Sequence, residues 1–315
     1  MKAMDGTILA ISYEINPALV SVVLGTALLG LATGALGSLA VLRRNSLLGD
    51  ALSHAAYPGL LAGFLLSGTK SVGLMVLGAI LAAAMALYLT NLLGKGGRVR
   101  PDAALALVMG CFFGIAMVLQ SHLQQNPSAA QAGLKDYLFG QAGLLLEEDI
   151  PLLVCLALLV LFVLGWGWSR WKIITFDRSH ALSLGIHVPF WDMLYSFLLI
   201  LSVVIGLQVA GVVLMSALLV MPGCASRYWT TRMSSLVTLS GITGAFLGIG
   251  GTFTADELSW PPGPTIVLLG FIWLFISYGA FEIRRKKRAL RQPFSPGNSF
   301  TPPPFPIPGK APSNG

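Results

Sequence analysis

Residues 17–63 read PALVSVVLGTALLGLATGALGSLAVLRRNSLLGDALSHAAYPGLLAG and decide the fold class of the chain. The apolar run 17–42 is long enough to cross a bilayer as a helix, because about 20 apolar residues span the hydrocarbon core. Two arginines end this run, and a second apolar run then carries Asp50 and His54 one helical turn apart. Ionisable side chains inside a membrane run are costly and usually mark a site or a pathway. The stretch therefore predicts a membrane-spanning helix followed by a segment with a function.

The rest of the chain has the composition of a membrane protein. Charged residues make up 10% and apolar residues 55% of the 315 residues, and a soluble domain of this length could not cover its surface with so few charges. Further runs of spanning length lie at about 72–93, 101–120, 150–168, 234–252 and 264–281. The run at 190–226 is long enough for two crossings with a break near Gly206 to Gly211, and 52–68 is either a full crossing or a half-inserted segment. We therefore predict an all-α polytopic membrane protein with eight or nine transmembrane helices.

Basic residues follow alternate crossings, which predicts the orientation of the chain. The clusters are Arg43 and Arg44; Lys95, Arg98 and Arg100; Arg170, Lys172 and Arg178; Arg227 and Arg232; and the run from Arg284 to Arg288. With nine crossings all of them lie on one side, and short loops rich in Lys and Arg stay in the cytoplasm. The N-terminus is then outside and the C-terminus inside, although a half-inserted 52–68 would disturb this pattern. The same bias explains the net charge of +7 without a nucleic-acid partner.

Three regions are predicted along the chain. Residues 1–16 form an external N-terminal segment with no cleavable signal sequence, residues 17–283 form the transmembrane domain, and residues 284–315 form a basic and then Pro-rich, disordered cytoplasmic tail. The segment LLGKGGR around Lys95 lacks the first glycine and the Ser or Thr of a phosphate-binding loop. No catalytic motif appears either, so the chain is predicted not to bind ATP by such a loop and not to be an enzyme.

Asp50 and His54 allow two interpretations. A carboxylate oxygen together with an imidazole nitrogen suits manganese, iron(II) or zinc. Alternatively, Asp50 is a helix N-cap and His54 is a helix histidine whose ring is satisfied by Ser53 or a neighbouring carbonyl. The motif alone leaves both interpretations open.

Several other patterns concern packing and helix ends. Glycines recur at three- or four-residue spacing, which permits close helix packing, in two sets: Gly25, Gly30, Gly34 and Gly37, and Gly241, Gly244, Gly248 and Gly251. Pro222, deep in an apolar run, is expected to bend its helix, either as a gate or only to fit a bend. Asp192 opens a crossing, where an N-cap role is expected. The cysteines, which have no paired spacing, are expected to be small core residues: Cys111, Cys155 and Cys224.

Three segments of the chain resemble the membrane permease subunits of ATP-binding-cassette importers for manganese, zinc and iron. The most specific is LRRNSLLGDALSHAAYPGLLAG, which is similar to that family's Leu-Arg-Arg, Leu-x-Gly-Asp-x-x-Ser-His and Pro-Gly signature. FDRSHALSLGIHVPFWDML resembles the segment that couples such permeases to their ATPase, and VAGVVLMSALLVMPGCASRY resembles a Gly-x-x-Leu-x-x-Ala-Leu-Leu-x-x-Pro helix. PPGPTIVLLG is similar to the last crossing of the family, so the resemblance spans about residues 17–281 and leaves out the tail beyond Arg291.

The resemblance implies a homodimer of this chain in a bacterial inner membrane, with cytoplasmic ATP-binding subunits and an external metal-binding protein as partners. The metal-contacting positions fall on Asp50 and His54, and two copies would offer two carboxylates and two imidazoles to a transported manganese, zinc or iron ion, with no permanently bound cofactor. The implied ATPase-coupling residues, within a cytoplasmic segment at about 176–190, are Asp177, Arg178, Ala181 and Gly185. Gly211 and Pro222 are implied in gating or packing. Because His54 must be neutral to coordinate, uptake is expected to weaken at acid pH.

The sequence leaves several alternatives to this function open. The acidic patch Glu147, Glu148 and Asp149 either meets the binding protein or is a solvated loop with acids at a helix start. An ATP-independent secondary transporter or channel for divalent cations is the second candidate, and an intramembrane metalloenzyme lacks a third ligand at motif spacing. The sequence does not name the metal, because all three metals accept this ligand set.

Overall fold

The computed structural model describes residues 17–68, 71–95, 99–124 and 149–291, and this part of the chain contains α-helices and no strand. The predicted external segment 1–16, the residues Glu147 and Glu148, and the tail from 292 onwards lie outside the described residues. The described residues form ten helices: α1 (Pro17–Leu42), α2 (Leu47–Ser67), α3 (Val72–Lys95), α4 (Pro101–Gln124), α5 (Ile150–Trp166), α6 (Trp168–Phe176), α7 (Arg178–Ser183), α8 (Val188–Arg227), α9 (Met233–Leu258) and α10 (Pro262–Arg291).

Seven helical segments in the described ranges are long and apolar enough to cross a membrane. They belong to α1, α3, α4, α9 and α10 and to the two halves of α8, Val188–Gln208 and Ala210–Arg227. The pair α5 and α6 would make an eighth span, but the two helices meet at an angle of 71°. The prediction of an all-helical polytopic membrane protein is therefore confirmed. By length and composition the described residues give seven or eight spans, which agrees with the predicted eight or nine only at eight.

The predicted segment 52–68 belongs to α2, a continuous helix of 21 residues, which is about 30 Å long at 1.5 Å per residue. It lies antiparallel along α3, with the Gly59 backbone against Gly78 and the Gly63 backbone against Leu74. Most of its residues are buried, including Tyr57 and Leu60 at 0% exposure. Neighbouring helices therefore cover most of α2.

Most members of the two glycine sets pack in the antiparallel pair α1 and α9, whereas Gly37 lies against Leu219 of α8 and Gly251 against Ile266 of α10. Gly30 lies against the backbone of Gly244, and a Cβ on Gly34 would come within 2.5 Å of the Ser240 carbonyl oxygen. One helical turn before Gly30, a hydrogen bond also joins the two helices: Thr26 Oγ1 donates to the carbonyl oxygen of Gly248 at 3.2 Å. The prediction of close packing at these small residues is confirmed.

The break predicted in the run 190–226 lies at Gly211, whose φ of 79° and ψ of 169° are not helical. A straight helix of 40 residues would be about 60 Å long, yet the Met215 side chain reaches Gly206, so the chain folds back at Gly211. The second half of α8 then returns along α1, where Gly223 packs on Ser38. Pro222 also lies inside this returning half.

The described basic clusters gather at one end of the bundle, which we call the basic end. Arg44 and Lys95 line one cavity there, and Arg227 and Arg284 line another. Arg43 and Arg178 share the carboxylate of Asp192, as detailed below. These members of the predicted clusters therefore lie at one end of the bundle, and the cytoplasmic assignment of that end stays a prediction.

Candidate metal site and coupling segment

Asp50 and His54 lie in the first two turns of α2, nearer the basic end than the opposite end. His54 Nε2 is 3.5 Å from Asp50 Oδ1, as the i, i+4 spacing predicts. The N-cap position belongs to Ser46, and Asp50 lies in the first turn of the helix. The alternative in which Asp50 is the N-cap is therefore wrong, although its charge still faces the positive end of the helix dipole.

The His54 ring has a free nitrogen. It packs edge-on against the Phe113 ring of α4, with centroids 5.2 Å apart. Its Nδ1 is buried and has no hydrogen-bond partner among the described residues. The Ser53 hydroxyl instead donates to the carbonyl oxygen of Gly49 at 2.9 Å. The expected pairing of His54 with Ser53 or a carbonyl is therefore not observed, and Nδ1 has no protein partner among the described residues.

The Asp50 and His54 side chains lie at the outer surface of the single chain. The Asp50 and His54 side chains are 35% and 26% exposed, whereas their neighbours Ala51, Leu52 and Ser53 are buried. Within the described ranges, no three His, Cys, Asp or Glu residues cluster so that they could hold a metal ion. One chain therefore supplies two ligands at this place, fewer than the three or four that protein zinc sites require.

The face of α4 beside His54 is open to a close approach. Phe113 shares this face with Gly110 and Gly114, which lie three residues before it and one after it. A Cβ on either glycine would meet nothing within 4 Å, so nothing in the described chain covers them. Small uncovered residues allow the backbone of another helix to come near.

The predicted coupling segment folds as a short capped helix, α7, at the basic end. Asp177 is its N-cap, because its Oδ1 accepts the backbone N–H of His180 at 2.8 Å. Ala181 is fully buried. Gly185 has a φ of 72° and ends the helix in a Schellman turn, in which Ile186 N–H donates to Ala181 O and Gly185 N–H to Leu182 O, both at 3.0 Å. Three of the four predicted residues thus build the helix, and their coupling role stays a prediction.

The fourth residue, Arg178, belongs to an ion-pair network around Asp192. Arg178 Nη2 lies 2.7 Å from Asp192 Oδ2, and Arg43 Nη1 lies 3.2 Å from Oδ1 of the same carboxylate. The expected N-cap role of Asp192 is wrong, because the N-cap of α8 is His187. No sequence pattern indicates this network, since each arginine resembles an ordinary basic residue of a cytoplasmic loop.

Arg43 is the most buried member of this network. Its side chain is 12% exposed, and its guanidinium carbon lies 4.8 Å from the Tyr195 ring centroid and 5.6 Å from that of Trp171. Its Nε also donates to Thr175 Oγ1 at 3.4 Å. Arg43 therefore links the end of α1 to α6 and α8, and through Asp192 to Arg178 at the start of α7.

Other predicted residues lie apart from these two groups. Asp149 occupies the N-cap position of α5, and its contact with a binding protein stays a prediction. Cys111 and Cys155 are exposed and Cys224 is partly buried, all three as free thiols. The expectation that the cysteines lie in the core is therefore wrong for Cys111 and Cys155, which face outward.

Comparison with known proteins identifies the family. Residues 15–280 match the ABC 3 transport family. The chain is 37% identical over 255 residues to the manganese transport system membrane protein MntC of Bacillus subtilis (strain 168), a match that covers 81% of this chain and 59% of that protein. It is 36% identical over 276 residues to the zinc transport system membrane protein TroC of Treponema pallidum (strain Nichols), covering 85% of this chain and 93% of that protein.

A solved structure shows the same arrangement of helices. The structure of PsaBC from Streptococcus pneumoniae in complex with Fab matches with a TM-score of 0.74 and 25% sequence identity, over 84% of this chain and 92% of that chain. The sequence match extends through every described helix from α1 to α9 and most of α10, and it includes both the Asp50 and His54 pair and the α7 segment. The chain therefore belongs to the ABC 3 transport family, as the resemblance of its motifs predicts.

Proposed function

We propose that this chain is the permease subunit of an ATP-driven importer of manganese, zinc or iron, in which Asp50 and His54 contact the transported ion. The observation that carries the proposal is the half-site on α2. The Nε2 atom of the His54 imidazole lies 3.5 Å from the Asp50 carboxylate, and both side chains are partly exposed on a surface that the chain itself leaves open. Neutral imidazole and carboxylate bind divalent transition metals without the strong retention of thiolates, and a transport site must also release its ion.

A second copy of the chain would complete the ligand set. Two Asp50 carboxylates and two His54 rings that face each other across a dimer axis supply four ligands. The open Gly110 and Gly114 face of α4 adjoins His54 and supports a close approach of the partner at this place. The same approach would shield two ionisable groups that now lie partly exposed in a membrane protein.

The orientation follows from the basic end, which we assign to the cytoplasm. With α2 counted as a crossing beside α3, the chain crosses the membrane nine times and its N-terminus lies outside. The ATP-binding subunits would then meet α7, where Leu182 and Leu184 are 59% and 55% exposed. The external metal-binding protein would deliver its ion at the opposite end of the bundle.

In this mechanism the ATPase moves α7, and the Arg178, Asp192 and Arg43 network passes the movement to α1 and α8. Leu219 on the returning half of α8 packs against Gly49, which is adjacent to Asp50 in α2. A shift of α8 would therefore reach the proposed metal ligands through direct contact. The reversal at Gly211 allows one helix to contact both the coupling network and α2.

Reconstitution into liposomes tests the proposal. We expect uptake of at least one of the three metals only when the cognate ATPase and ATP are present. Asp50→Asn and His54→Gln should abolish uptake while the complex still assembles and hydrolyses ATP. His122→Gln, which changes a histidine at the far end of α4, is the matched control and should transport normally.

Two outcomes would contradict parts of the proposal in different ways. Normal uptake by both the Asp50→Asn and the His54→Gln variants would remove the pair from the metal path. Equal uptake with and without the ATPase would instead support an ATP-independent transporter or channel for divalent cations.

A further inference from the structure

A second cavity at the basic end lies apart from the α2 pair and from α7. It has a volume of about 410 Å³ and lies between the end of α8, the turn before α9 and the end of α10. Its polar walls include the side chains of four arginines, Arg227, Arg232, Arg284 and Arg285. The nine residues that line it also include Trp229 and Phe281, and none of the nine is acidic.

The positive charge of this cavity is largely uncompensated. Among its four arginines, Arg285 has a carboxylate partner, Glu282 Oε1 at 3.0 Å. The structure gives Arg227, Arg232 and Arg284 no such partner among the described residues. Several guanidinium groups around one cavity repel each other unless an anion joins them. The cavity therefore has the charge of an anion-binding site.

Arg284 is held in place for such a ligand. Its Nε donates to the carbonyl oxygen of Ala280 at 3.1 Å, and its guanidinium carbon lies 4.2 Å from the centroid of the Trp229 ring. Its Nη2 is buried and has no hydrogen-bond partner in the described part of the chain. A guanidinium that is fixed on two sides and keeps an unpaired donor suits a phosphate oxygen, with which it makes short charge-assisted hydrogen bonds.

The surface next to the cavity suits acyl chains. The Tyr228 ring contacts the rings of Tyr278 and Phe281 on α10, with centroids 5.7 and 5.6 Å apart. From there, Phe275 and Tyr278 point outward, 58% and 48% exposed, along a helix that is long and apolar enough to cross the membrane. A polar cavity above an outward apolar surface, with aromatic rings between, is the arrangement found at the membrane interface.

We propose that this cavity binds the phosphate headgroup of an anionic phospholipid, whose acyl chains lie along the outer face of α10. The shared chemistry is that of a phosphate group, which free inorganic phosphate also offers. The lipid is favoured because the cavity borders a bilayer-facing surface, and basic pockets between transmembrane helices bind such headgroups. This inference requires only that the chain spans a membrane, and it stands whether or not the chain imports metal.

Binding to the delipidated, full-length protein tests the inference by native mass spectrometry in detergent. The probes are phosphatidylglycerol, phosphatidylcholine and inorganic phosphate. We expect phosphatidylglycerol to be retained at least about tenfold better than phosphatidylcholine, because a zwitterionic headgroup supplies no net negative charge. Inorganic phosphate at the same concentration should compete only weakly.

Single substitutions test whether the lipid binds in this cavity. Arg284→Gln should lower retention of phosphatidylglycerol by at least about tenfold, since a charged hydrogen bond is lost, and Arg227→Gln provides a second test if Arg284→Gln does not fold. Lys286→Gln removes the same charge from the same helix at an exposed position outside the cavity, and it should bind as the wild type does.

Four results would overturn the inference. Equal retention of the two lipids, or equal loss in Lys286→Gln, would show that binding is not specific to the cavity. Full competition by inorganic phosphate would make it a site for free anions. Wild-type lipid binding by Arg284→Gln and Arg227→Gln, together with loss of ATPase assembly, would make the cavity a protein-docking site.

Discussion

Replacement of Gly248 by alanine tests the packing of α1 against α9 most directly. A Cβ at this position would lie 2.5 Å from the Thr26 carbonyl oxygen and 2.6 Å from the Thr26 carbonyl carbon. Real Cβ atoms essentially never come closer than 3.0 Å to another heavy atom, so the two backbones must separate by about 0.5 Å (3.0 − 2.5 Å). Because both atoms belong to the backbone of a helix, no side-chain rotation relieves the clash.

The same separation breaks a hydrogen bond between the helices. The distance from Thr26 Oγ1 to Gly248 O would grow from 3.2 Å to about 3.7 Å, beyond a normal hydrogen bond. Overpacking costs about 1–3 kcal/mol, and an interhelical hydrogen bond in a membrane protein contributes about 0.6 kcal/mol on average. The Thr26 hydroxyl is not left unpaired, because it keeps its hydrogen bond to Val22 O at 2.8 Å. We therefore expect loss of the interhelical hydrogen bond to cost about this average.

Gly250→Ala is the matched control, because a Cβ there meets nothing within 4 Å. Both variants gain the same helix propensity, about 0.5–1 kcal/mol, so this gain cancels in the comparison. We therefore expect Gly248→Ala to be about 2–4 kcal/mol less stable than Gly250→Ala. The assay is unfolding of the purified protein by a denaturing detergent, followed by tryptophan fluorescence. Equal stability of the two variants would refute the reasoning that a close backbone contact holds α1 to α9.

Three further changes test the coupling network, the reversal of α8 and the proposed ligand. Asp192→Asn should lower the number of metal ions moved per ATP while assembly persists, because the largely buried Arg43 loses its charged partner. The cost to stability is about 1–3 kcal/mol, below that of a fully buried pair, since Asp192 is 31% exposed. Gly211→Ala should lower the melting temperature more than Gly165→Ala, because the backbone at Gly211 is accessible almost only to glycine and costs other residues about 1–3 kcal/mol. Metal uptake per ATP should fall from pH 7 to pH 5, because imidazole ligands coordinate a metal ion only in their neutral form.

Each of these expectations has a result that contradicts it. Unchanged coupling in Asp192→Asn would reduce the network to a local structural contact. Equal melting temperatures for the two glycine variants would show that the reversal does not depend on the special backbone of Gly211. Uptake per ATP that stays constant between pH 7 and pH 5 would argue against a histidine ligand in the path.

Much of the candidate site could be predicted from local sequence. The spacing of Asp50 and His54 places them on one face of a helix whatever surrounds it, and the observed contact agrees. The alternative in which Asp50 is the N-cap was wrong, because α2 begins at Leu47. An N-cap at Asp50 would require the helix to begin one turn later. Helix ends depend on weak local preferences, which a turn such as the one formed by Arg43 to Ser46 can shift.

The partners of Asp192 could not be predicted from the residues near it in the sequence. A carboxylate near the start of a run looks like a cap, because capping depends on residues two or three positions away. One of its two arginine partners, Arg43, lies 149 residues earlier in the chain, and no periodicity connects the two. The predicted burial of Cys111 and Cys155 was wrong for a related reason, since the composition of an apolar membrane helix does not show which of its faces meets lipid.

By itself the sequence determined the helical class, the spans, the break near Gly211 and the two small-residue surfaces. Hydropathy, helical period and the backbone freedom of glycine are local properties, and the bilayer leaves a chain of such runs few alternatives to helices. Only the tertiary structure decided that Gly30 meets Gly244, that Leu219 of α8 packs against Gly49 of α2, and that Arg43, Arg178 and Asp192 share one network. These contacts join distant parts of the chain, so they depend on how the helices pack in three dimensions and not on any pattern along one of them.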